Sequence, residues 1–318
     1  MNKLLQGLRP YTASDIEGLA QLLGAADAWP PYPPTPQDLL NRWRHWDLKP
    51  EQDVSVLPGP DDGLIAFSQS AVSRRDPLRI GMEIAVHPRH QRLGIGSALY
   101  DLIESRSHEL RATHLTSTVF MSPGTDKSAT IHFLEKRGFK CNSAYWRLRI
   151  DQISQVGPPH WPEGIECRVF RNEHDDAVKW AHLVTAAFGE HATPEMILAQ
   201  VSDPESGPNG YFYAVDSATG EEIGTSRARR DSIGGMPVGY IGTVGVLPEY
   251  RGRGIAEALM RQTLLFIASQ GMDSATLFVE DSNKPARALY EKMGWYPVHR
   301  TDHYWKTLLP TRHHEPPG

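Results

Sequence analysis

The sequence contains little of what several classes of protein require. Its 318 residues include only two cysteines, Cys141 and Cys167, and no CxxC pair. A disulfide scaffold is therefore excluded, and the pattern indicates reduced thiols of the cytoplasm that serve as packing residues. No apolar stretch approaches the length of about 20 residues that a membrane-spanning helix needs. Residues 1–7 also lack the apolar segment of a secretory signal, so we expect a cytoplasmic protein without a membrane partner.

Positive charge is not in excess either. The chain has 33 lysines and arginines against 38 acidic residues, a formal net charge of −5. This balance argues against a general nucleic-acid binder and mildly favours cationic small substrates. With 40% hydrophobic and 22% charged residues, the composition is that of a globular protein whose length suits two domains.

A short segment that occurs twice is the most informative feature of the chain. Residues 87–96 read HPRHQRLGIG and residues 247–256 read LPEYRGRGIA, with Pro88 and Pro248 160 positions apart. A period of this length indicates a duplicated domain and not a solenoid. The break VGPPHWP predicts domains at 1–150 and 164–310, a linker at 151–163 and a flexible tail at 311–318.

Each copy of the segment follows an apolar, strand-like run and opens an amphipathic helix. Such a glycine-rich turn directs free N–H groups and the positive end of the helix dipole at an anion, so we expect a phosphate-bearing cofactor. The simpler alternative is a tight turn that only needs glycine. A Rossmann turn would require GxGxxG near the chain start and an acidic residue about 20 positions on, which neither half offers.

The same order of elements can be predicted in both halves, and it indicates an α/β (α+β) sheet flanked by helices. The helix after Gly94 is predicted to bury a stripe of Ile95, Ala98, Leu99, Leu102 and Ile103. The predicted strands come in pairs: 8–11 and 165–170, 63–69 and 222–226, 82–86 and 240–246, 116–120 and 276–279. Glycines 138 and 294 are predicted to end the last helix of each half.

The motifs resemble those of the GNAT N-acetyltransferase superfamily. The segments QRLGIG at 91–96 and RGRGIA at 251–256 resemble its acetyl-CoA signature, and VEDSN at 279–283 with LYEKMGW at 289–295 resembles a later motif. The order of all these motifs is similar to that of two-domain GNATs of the mycothiol synthase type. The resemblance implies two tandem GNAT-like acyl-CoA N-acyltransferase domains, each a mixed, mostly antiparallel sheet that splays to admit the pantetheine arm.

The resemblance also implies that acetyl-CoA is the cofactor and indicates which residues bind it. In the second half these are Val244, Gly245, Val246, Arg251, Gly252, Arg253, Gly254, Ile255, Ala256 and Asn283. In the first half they are Ile84, Ala85, Val86, Gln91, Arg92, Leu93, Gly94, Ile95 and Gly96. Asn283 either contacts the pantetheine arm or caps the helix ahead of Pro285, and the two roles are compatible.

Tyr290 is the predicted catalytic residue. An amine that attacks the thioester releases coenzyme A as a thiolate, which a nearby phenol can protonate. The alternative is a tyrosine packed in the core, because Ala286, Leu289 and Met293 share its helix face. The corresponding residue of the first half is Leu134, which cannot donate a proton. We therefore expect the first half to keep a cofactor site but to be catalytically degenerate.

The general base is left open by the sequence. Many family members place a glutamate early on the strand before the phosphate loop, where this chain has Tyr240, or Ile80 in the first half. Glu83 lies on the first-half strand but out of that register, and Lys127 stands opposite Asn283. The remaining candidates in the second half are Glu190, His191, Glu195 or a water molecule.

The predicted function is transfer of acetyl from acetyl-CoA to a primary amine of a small metabolite, by direct attack in a ternary complex and without a metal. A non-catalytic acetyl-CoA sensor or interaction module, or an acetyltransferase acting on a peptide or protein amine, are the alternatives. Residues 29–36 could form a polyproline ligand or a stiff loop between two helices. Trp43 and Trp46, beside basic residues, suggest either nucleic-acid stacking or a half-buried helix face.

Overall fold

The computed structural model describes residues 3–26, 28, 33–46, 48–59, 63–73, 76–122, 124–171, 173–189, 191–202, 208–233 and 236–308. Residues 29–32 of the proline-rich segment, Glu190 and the tail 311–318 lie outside these ranges, as does the side chain of Trp46. The predictions made for them concern residues that the structure does not describe.

The described residues divide into two compact units. The first unit takes its residues from Met1–Trp146, Glu280–Ser282 and Val298–Gly318, and the second from Arg147–Val279 and Asn283–Pro297. Each unit thus includes a short segment from the other half of the chain. The division of the sequence at 151–163 stays a prediction about where the two repeats meet.

The elements follow the predicted order in both halves. The strands of the first half are β1 (Arg9–Pro10), β2 (Val54–Pro58), β3 (Leu64–Val72), β4 (Arg79–Val86), β5 (His114–Met121) and β6 (Lys140–Asp151). Its helices are α1 (Ile16–Ala25), α2 (Pro36–Trp46), α3 (Pro50–Asp53), α4 (Ile95–Glu109) and α5 (Ser128–Glu135). The strands of the second half are β7 (Ile165–Val169), β8 (Tyr211–Asp216), β9 (Glu222–Ile233), β10 (Met236–Val246), β11 (Ser274–Glu280) and β12 (Tyr296–Thr307). Its helices are α6 (His174–Phe188), α7 (Pro194–Val201), α8 (Ile255–Ser269) and α9 (Lys284–Lys292).

The sheet of the first unit is mixed and mostly antiparallel. Strands β1 to β4 pair antiparallel in sequence order, and β4 pairs parallel with β5. The other edge of β5 pairs antiparallel with β12, from Arg300 opposite Met121 to Thr307 opposite His114. The last strand of the chain therefore belongs to the first unit, which the local sequence pattern did not predict.

The second unit repeats this arrangement. Strands β7 to β10 pair antiparallel in sequence order, and β10 pairs parallel with β11. Its core includes Trp180 on α6 and Tyr211 and Tyr213 on β8, and Trp161 of the predicted linker packs against it. The GNAT fold with two tandem domains, each with mixed, mostly antiparallel strand pairing flanked by helices, is confirmed.

Some predictions about individual side chains are wrong. Cys141 and Cys167 are both exposed and are not packing residues. Leu102 is 47% exposed, because the buried face of α4 includes Tyr100 and Ile103 and leaves Leu102 outside it. Trp43, in contrast, is buried and lies edge-on to Tyr11 at 5.0 Å. The helix-face interpretation of Trp43 is therefore confirmed.

None of the helices within the described ranges combines the length and the apolar character that crossing a membrane requires.

Candidate functional site

The repeated segment forms a strand-to-helix turn in the second unit. After β10, a short 3₁₀ turn at Pro248–Tyr250 leads into α8, whose N-cap is Gly254. Gly252 and Gly254 have φ of 78° and 85°, a left-handed conformation that favours glycine. No side chain caps α8, so the N–H groups of its first turn remain available to an anion.

The loop is held by arginine Arg251. Its Nε donates to the Val246 carbonyl at 3.0 Å, and its Nη2 donates to the Ala187 carbonyl at the end of α6 at 3.1 Å. Arg253 is exposed, donates to the Glu249 carbonyl and lies over the Tyr250 ring. Arg251 therefore ties the loop to β10 and α6, whereas Arg253 stays on the exposed surface of the loop.

Strands β10 and β11 separate near this loop. Within the described residues they pair only at Gly239 with Ala275 and Tyr240 with Thr276. Further along, β10 carries a bulge between Gly242 and Gly245. The edge of β10 that faces β11 is therefore open over its last residues, which include Val244, Gly245 and Val246, and an extended chain could pair with such an edge.

The bulge also packs closely against α6. A Cβ atom on Gly245 would lie 2.9 Å from Cε2 of Phe188 and 3.0 Å from Cβ of Ala187. The first contact is shorter than real Cβ atoms make and the second is tight, so any side chain at this position would force Phe188 and Ala187 to shift. Gly245 thus has a packing role in addition to the predicted contact with the cofactor, and this role depends on a helix distant in sequence.

Tyr290 lies in α9, a helix whose N-cap residue is Asn283. The Asn283 side chain accepts a hydrogen bond from the Ala286 N–H at 3.2 Å, so the capping role of Asn283 is present. Tyr290 is 7% exposed and packs near the Trp295 ring. Burial raises the pKa of Tyr290 to about 12, and the nearby Tyr240 phenol adds to the shift. A phenol with this pKa keeps its proton at neutral pH and can act only as a donor.

Tyr240 lies among charged side chains that are not among the predicted site residues. It stands opposite Arg229 in the β9–β10 pairing, and the Arg229 Cζ lies 4.5 Å from the centroid of the Tyr240 ring. Arg227, two residues before Arg229, faces Gly242 on the same pair of strands. The signal in the sequence is the charge at positions 227, 229 and 231, since alternate residues of a strand share a face.

The described candidates for a general base are either exposed or already paired. His191 and Glu195 are exposed. The Glu195 carboxylate accepts hydrogen bonds from its own backbone N–H and from the side chain of Thr193, the N-cap of α7, and these lower the pKa of Glu195. Glu83, in the first unit, forms an ion pair with Arg42 at 2.9 Å. These positions do not assign a general base, and the general base of the second half stays open.

The first unit contains the same turn and a cavity beside it. Gln91 Nε2 donates to the Val86 carbonyl at 3.1 Å, as Arg251 does to that of Val246. Arg92 and Gly94 are left-handed, with φ of 61° and 87°. Strands β4 and β5 pair from Arg79 with His114 to Met82 with Ser117 and then separate. Between the separated ends lies a cavity of about 380 Å³, lined by Glu83 to Val86, Ser117 to Phe120, Gln91, Arg92, Gly94, Gly96 and residues of α5.

Other predicted residues of the first half serve the fold. Ile95 is buried at the start of α4 as Ile255 is at the start of α8, whereas Leu93 is exposed. Leu134 is 2% exposed and belongs to the hydrophobic core around Tyr100 and Phe139. A side chain that has no acidic proton to donate thus occupies the position that Tyr290 has in the second half.

Comparisons with known proteins agree with this geometry. Residues 177–295 match the protein-family model described as Acetyltransferase (GNAT) family, and residues 59–141 match the one described as Acetyltransferase (GNAT) domain. A mycothiol acetyltransferase of Salinispora arenicola is 30% identical over 295 residues, which cover 91% of this chain and 91% of that protein.

Two solved structures are similar over nearly the whole chain. A GCN5-related N-acetyltransferase from Sphaerobacter thermophilus is 25% identical, with a TM-score of 0.80 and coverage of 94% of this chain and 95% of that chain. A tandem GNAT protein from the clavulanic acid biosynthesis pathway shares the fold at 20% identity, with a TM-score of 0.71 and coverage of 96% and 99%. Sequence motifs, fold and relatives agree, and the chain belongs to the GNAT acetyltransferase family.

Proposed function

We propose that the second half of the chain transfers an acetyl group from acetyl-CoA to a primary amine of a small metabolite by direct attack in a ternary complex. The observation that carries the proposal is the position of Tyr290, a buried phenol that keeps its proton. It belongs to the same compact unit as an open strand edge and an uncapped helix N-terminus.

The residues of the turn fit coenzyme A. A Cβ atom built on Gly252 or Gly254 meets no atom within 4 Å, so protein packing does not explain these glycines. Their positive φ and the open space suit a loop that wraps a pyrophosphate with backbone N–H groups. The proposed binding residues in this unit are Val244, Gly245, Val246, Arg251, Gly252, Arg253, Gly254, Ile255, Ala256 and Asn283.

The chemistry asks little of the protein beyond position and one proton. Acetyl-CoA supplies the acetyl group as an activated thioester. The open edge of β10 offers backbone groups that can align an extended pantetheine chain. Tyr290 holds a proton that it can donate to the leaving sulfur as the C–S bond breaks. Because its raised pKa makes it a weaker acid than a thiol, whose ordinary pKa is about 8.5, the transfer depends on the phenol lying directly beside the sulfur.

The first half is proposed to bind coenzyme A without turnover. Its cavity, its left-handed Gly94 and the bond from Gln91 to Val86 support a binding site. Leu134 supports the absence of catalysis, since it offers no proton where the second half has Tyr290. The proposed binding residues are Ile84, Ala85, Val86, Gln91, Arg92, Leu93, Gly94, Ile95 and Gly96.

A small-molecule acceptor is supported by the relatives, which are named mycothiol acetyltransferases. The net charge of −5 supports the same conclusion, because it disfavours nucleic acid as a partner. Two free, exposed cysteines fit a reducing compartment. We therefore propose that the enzyme works in the cytoplasm.

The test is release of the coenzyme A thiol from acetyl-CoA across a panel of amines, with Tyr290→Phe beside the wild-type protein. The variant should lose about 10²- to 10³-fold in kcat, the usual size of a general-acid contribution. Its affinity for acetyl-CoA should be unchanged. Tyr296→Phe is the matched control, because Tyr296 lies shortly after Tyr290 in sequence and is 44% exposed.

The outcomes separate the candidate functions. Amine-dependent release that drops in Tyr290→Phe and not in Tyr296→Phe supports the transferase. Binding of acetyl-CoA without amine-dependent release would favour the non-catalytic sensor. Release with peptides and none with small amines would favour the peptide or protein acetyltransferase.

A further inference from the structure

We infer that the acetyl acceptor carries a negatively charged group, a carboxylate or a phosphate, which Arg227 and Arg229 bind beside the reaction centre. This inference rests on the proposed function and specifies the substrate class of the same site. It comes from the charges on one face of the β9–β10 sheet in the second unit.

The arginines share a face with Tyr240. In the β9–β10 pairing, Arg227 is opposite Gly242 and Arg229 is opposite Tyr240. A Cβ atom on Gly242 would lie 3.0 Å from the Nε of Arg227 and 3.1 Å from Cε1 of Tyr240. Arg227 and Tyr240 therefore flank the same small space above Gly242.

This face is the one that α8 does not cover. The next residues of β9 point the other way, where Ser226 bonds to Thr263 of α8 at 2.8 Å and Arg230 reaches the Gln270 carbonyl at 3.4 Å. Arg227, in contrast, donates to Gln200 of α7 and to the Tyr211 hydroxyl. The arginines thus line the α7 side of the sheet.

Positive charge on this face exceeds negative charge. Arg147 also belongs to it, and its Nη2 donates to Asp231 at 2.8 Å and to Thr276 at 3.1 Å. The carboxylate of Asp231 is therefore already engaged. Across the described ranges, no ion pair joins Arg227 or Arg229 to a carboxylate. Three guanidinium groups and one carboxylate leave a net positive charge at this place.

Buried donors are also left without acceptors. The Nε atoms of Arg147 and Arg227 are buried and find no hydrogen-bond partner among the described residues. A buried charged donor without an acceptor is costly, so such groups point to a ligand that completes them. An arginine presents its N–H groups as a planar fork that matches the two oxygens of a carboxylate or phosphate.

Tyr240 connects this positive face with the proton donor. Tyr240 is the last residue of β10 that pairs with β11, and Gly242 begins the bulge beyond which the edge proposed for the pantetheine arm is open. The Tyr240 phenol also contributes to the raised pKa of Tyr290. An anionic group bound at Arg227 and Arg229 would therefore lie next to the acetyl-transfer centre, which suits an acceptor whose amine and anion are a few bonds apart. Amino acids and aminoalkyl or amino-sugar phosphates have this form.

The experiment compares matched amines that differ only in the anion. The carboxylate arm pairs tyramine with tyrosine and cadaverine with lysine, and the phosphate arm pairs ethanolamine with O-phosphoethanolamine and glucosamine with glucosamine 6-phosphate. We expect kcat/KM to favour the anionic member at least tenfold in one arm. R229Q should lower that ratio about tenfold. R230Q, on the opposite face, is the control and should leave the ratio unchanged.

The readouts distinguish the two levels of the proposal. Acetyl-CoA affinity of R229Q equal to that of the wild type shows that the variant is folded, and R229K should restore part of the preference. Equal kcat/KM for both members of every pair, or an unchanged ratio in R229Q, overturns the anionic acceptor and leaves the transferase intact. Absence of turnover with all amines, in protein that binds acetyl-CoA, overturns the proposed function itself.

Discussion

Leu134 and Tyr290 hold the same position in the same kind of helix ending. The Leu134 carbonyl accepts the Phe139 N–H at 3.2 Å, and the Tyr290 carbonyl accepts the Trp295 N–H at 3.0 Å. Gly138 precedes Phe139 and Gly294 precedes Trp295, with φ of 86° and 88°. Each helix therefore ends in a Schellman turn. The two repeats thus agree in their backbone and differ in whether this side chain carries a hydroxyl.

Substitutions at these two positions should therefore have opposite effects. Leu134→Ala removes a side chain that is 2% exposed and should lower the free energy of unfolding by about 2–4 kcal/mol, while turnover persists in the folded fraction. Tyr290→Phe should lose turnover and keep most of the stability, because its ring still fills the site. Urea unfolding and thiol release measure the two quantities. Loss of turnover in fully folded Leu134→Ala would contradict a catalytically degenerate first half.

The left-handed glycines of the two phosphate loops give a second prediction. Gly254 has φ of 85° and Gly94 has φ of 87°, and a β-branched residue is strained in that region by about 1–2 kcal/mol. Gly254→Val should therefore weaken acetyl-CoA binding in the second half and lower kcat/KM by tenfold or more. Gly94→Val should remove one equivalent of coenzyme A bound per chain and retain most of the turnover. Isothermal titration gives the stoichiometry.

The comparison of the two variants also controls for misfolding, since both introduce the same backbone strain at the start of a helix of the same length. A Cβ atom at Gly94 also lies 3.1 Å from Cδ1 of Leu4, whereas one at Gly254 meets no atom within 4 Å, so urea unfolding of both variants accompanies the titration. Equal loss of turnover in both would mean that the first half takes part in the reaction. A stoichiometry of one in the wild-type protein would remove the proposed site of the first half.

Features set by neighbouring residues could be predicted from the sequence. The glycines that start α4 and α8, and the Asn283 cap ahead of Pro285, follow from local backbone preferences that the residue types reveal. The strand runs were predicted at nearly their observed places for the same reason. β4, predicted at 82–86, spans Arg79–Val86, and β5, predicted at 116–120, spans His114–Met121.

Features set by distant residues could not be predicted. Pairing of Arg300 with Met121 joins segments far apart in the chain, and no local pattern encodes the partner of a strand. The packing of Phe188 against Gly245 and the bond of Arg147 to Asp231 depend on the same kind of contact. For that reason the positively charged face around Tyr240 emerged only from the folded chain.

The raised pKa of Tyr290 predicts a specific pH dependence. With a pKa of about 12, the phenol stays protonated well above the ordinary tyrosine value of about 10. With an acceptor amine of pKa below about 8, kcat should rise as the amine loses its proton and stay level to about pH 10.5. The free energy of unfolding should change in the same pH range. The neutral phenol stabilises the fold fully below about pH 10, and this stabilisation is lost as the pH rises toward 12. A fall in kcat centred near pH 10 that is absent in Tyr290→Phe would contradict this assignment.

An ion-pair cluster in the second unit predicts acid sensitivity. Arg168 bonds Asp176 at 2.9 Å and Glu222 at 2.7 Å, and its side chain is 20% exposed. Burial raises the pKa of Asp176, but hydrogen bonds from Arg168 and the Arg171 N–H outweigh it and hold the pKa below its usual range. Arg168→Gln should lower the free energy of unfolding by about 2 kcal/mol at pH 7, because the buried Asp176 carboxylate loses its counter-charge and Glu222 keeps only Lys179, at 2.7 Å. Urea unfolding at several pH values measures the loss.

The sign of the pKa shift fixes how that loss depends on pH. A carboxyl whose folded pKa is lowered stabilises the fold above its unfolded pKa, near 4, and this stabilisation disappears as pH falls through the folded value. The difference between wild type and Arg168→Gln should therefore narrow below about pH 4. Arg9→Gln is the matched variant of the first repeat, where Arg9 bonds Asp15 at 2.7 Å but is 41% exposed. Water screens that pair more strongly, so its loss at pH 7 should be smaller. A loss for Arg168→Gln that is constant from pH 7 to pH 3 would mean that arginine stabilises the fold through stacking on Tyr213, 4.4 Å away, and not through its charge.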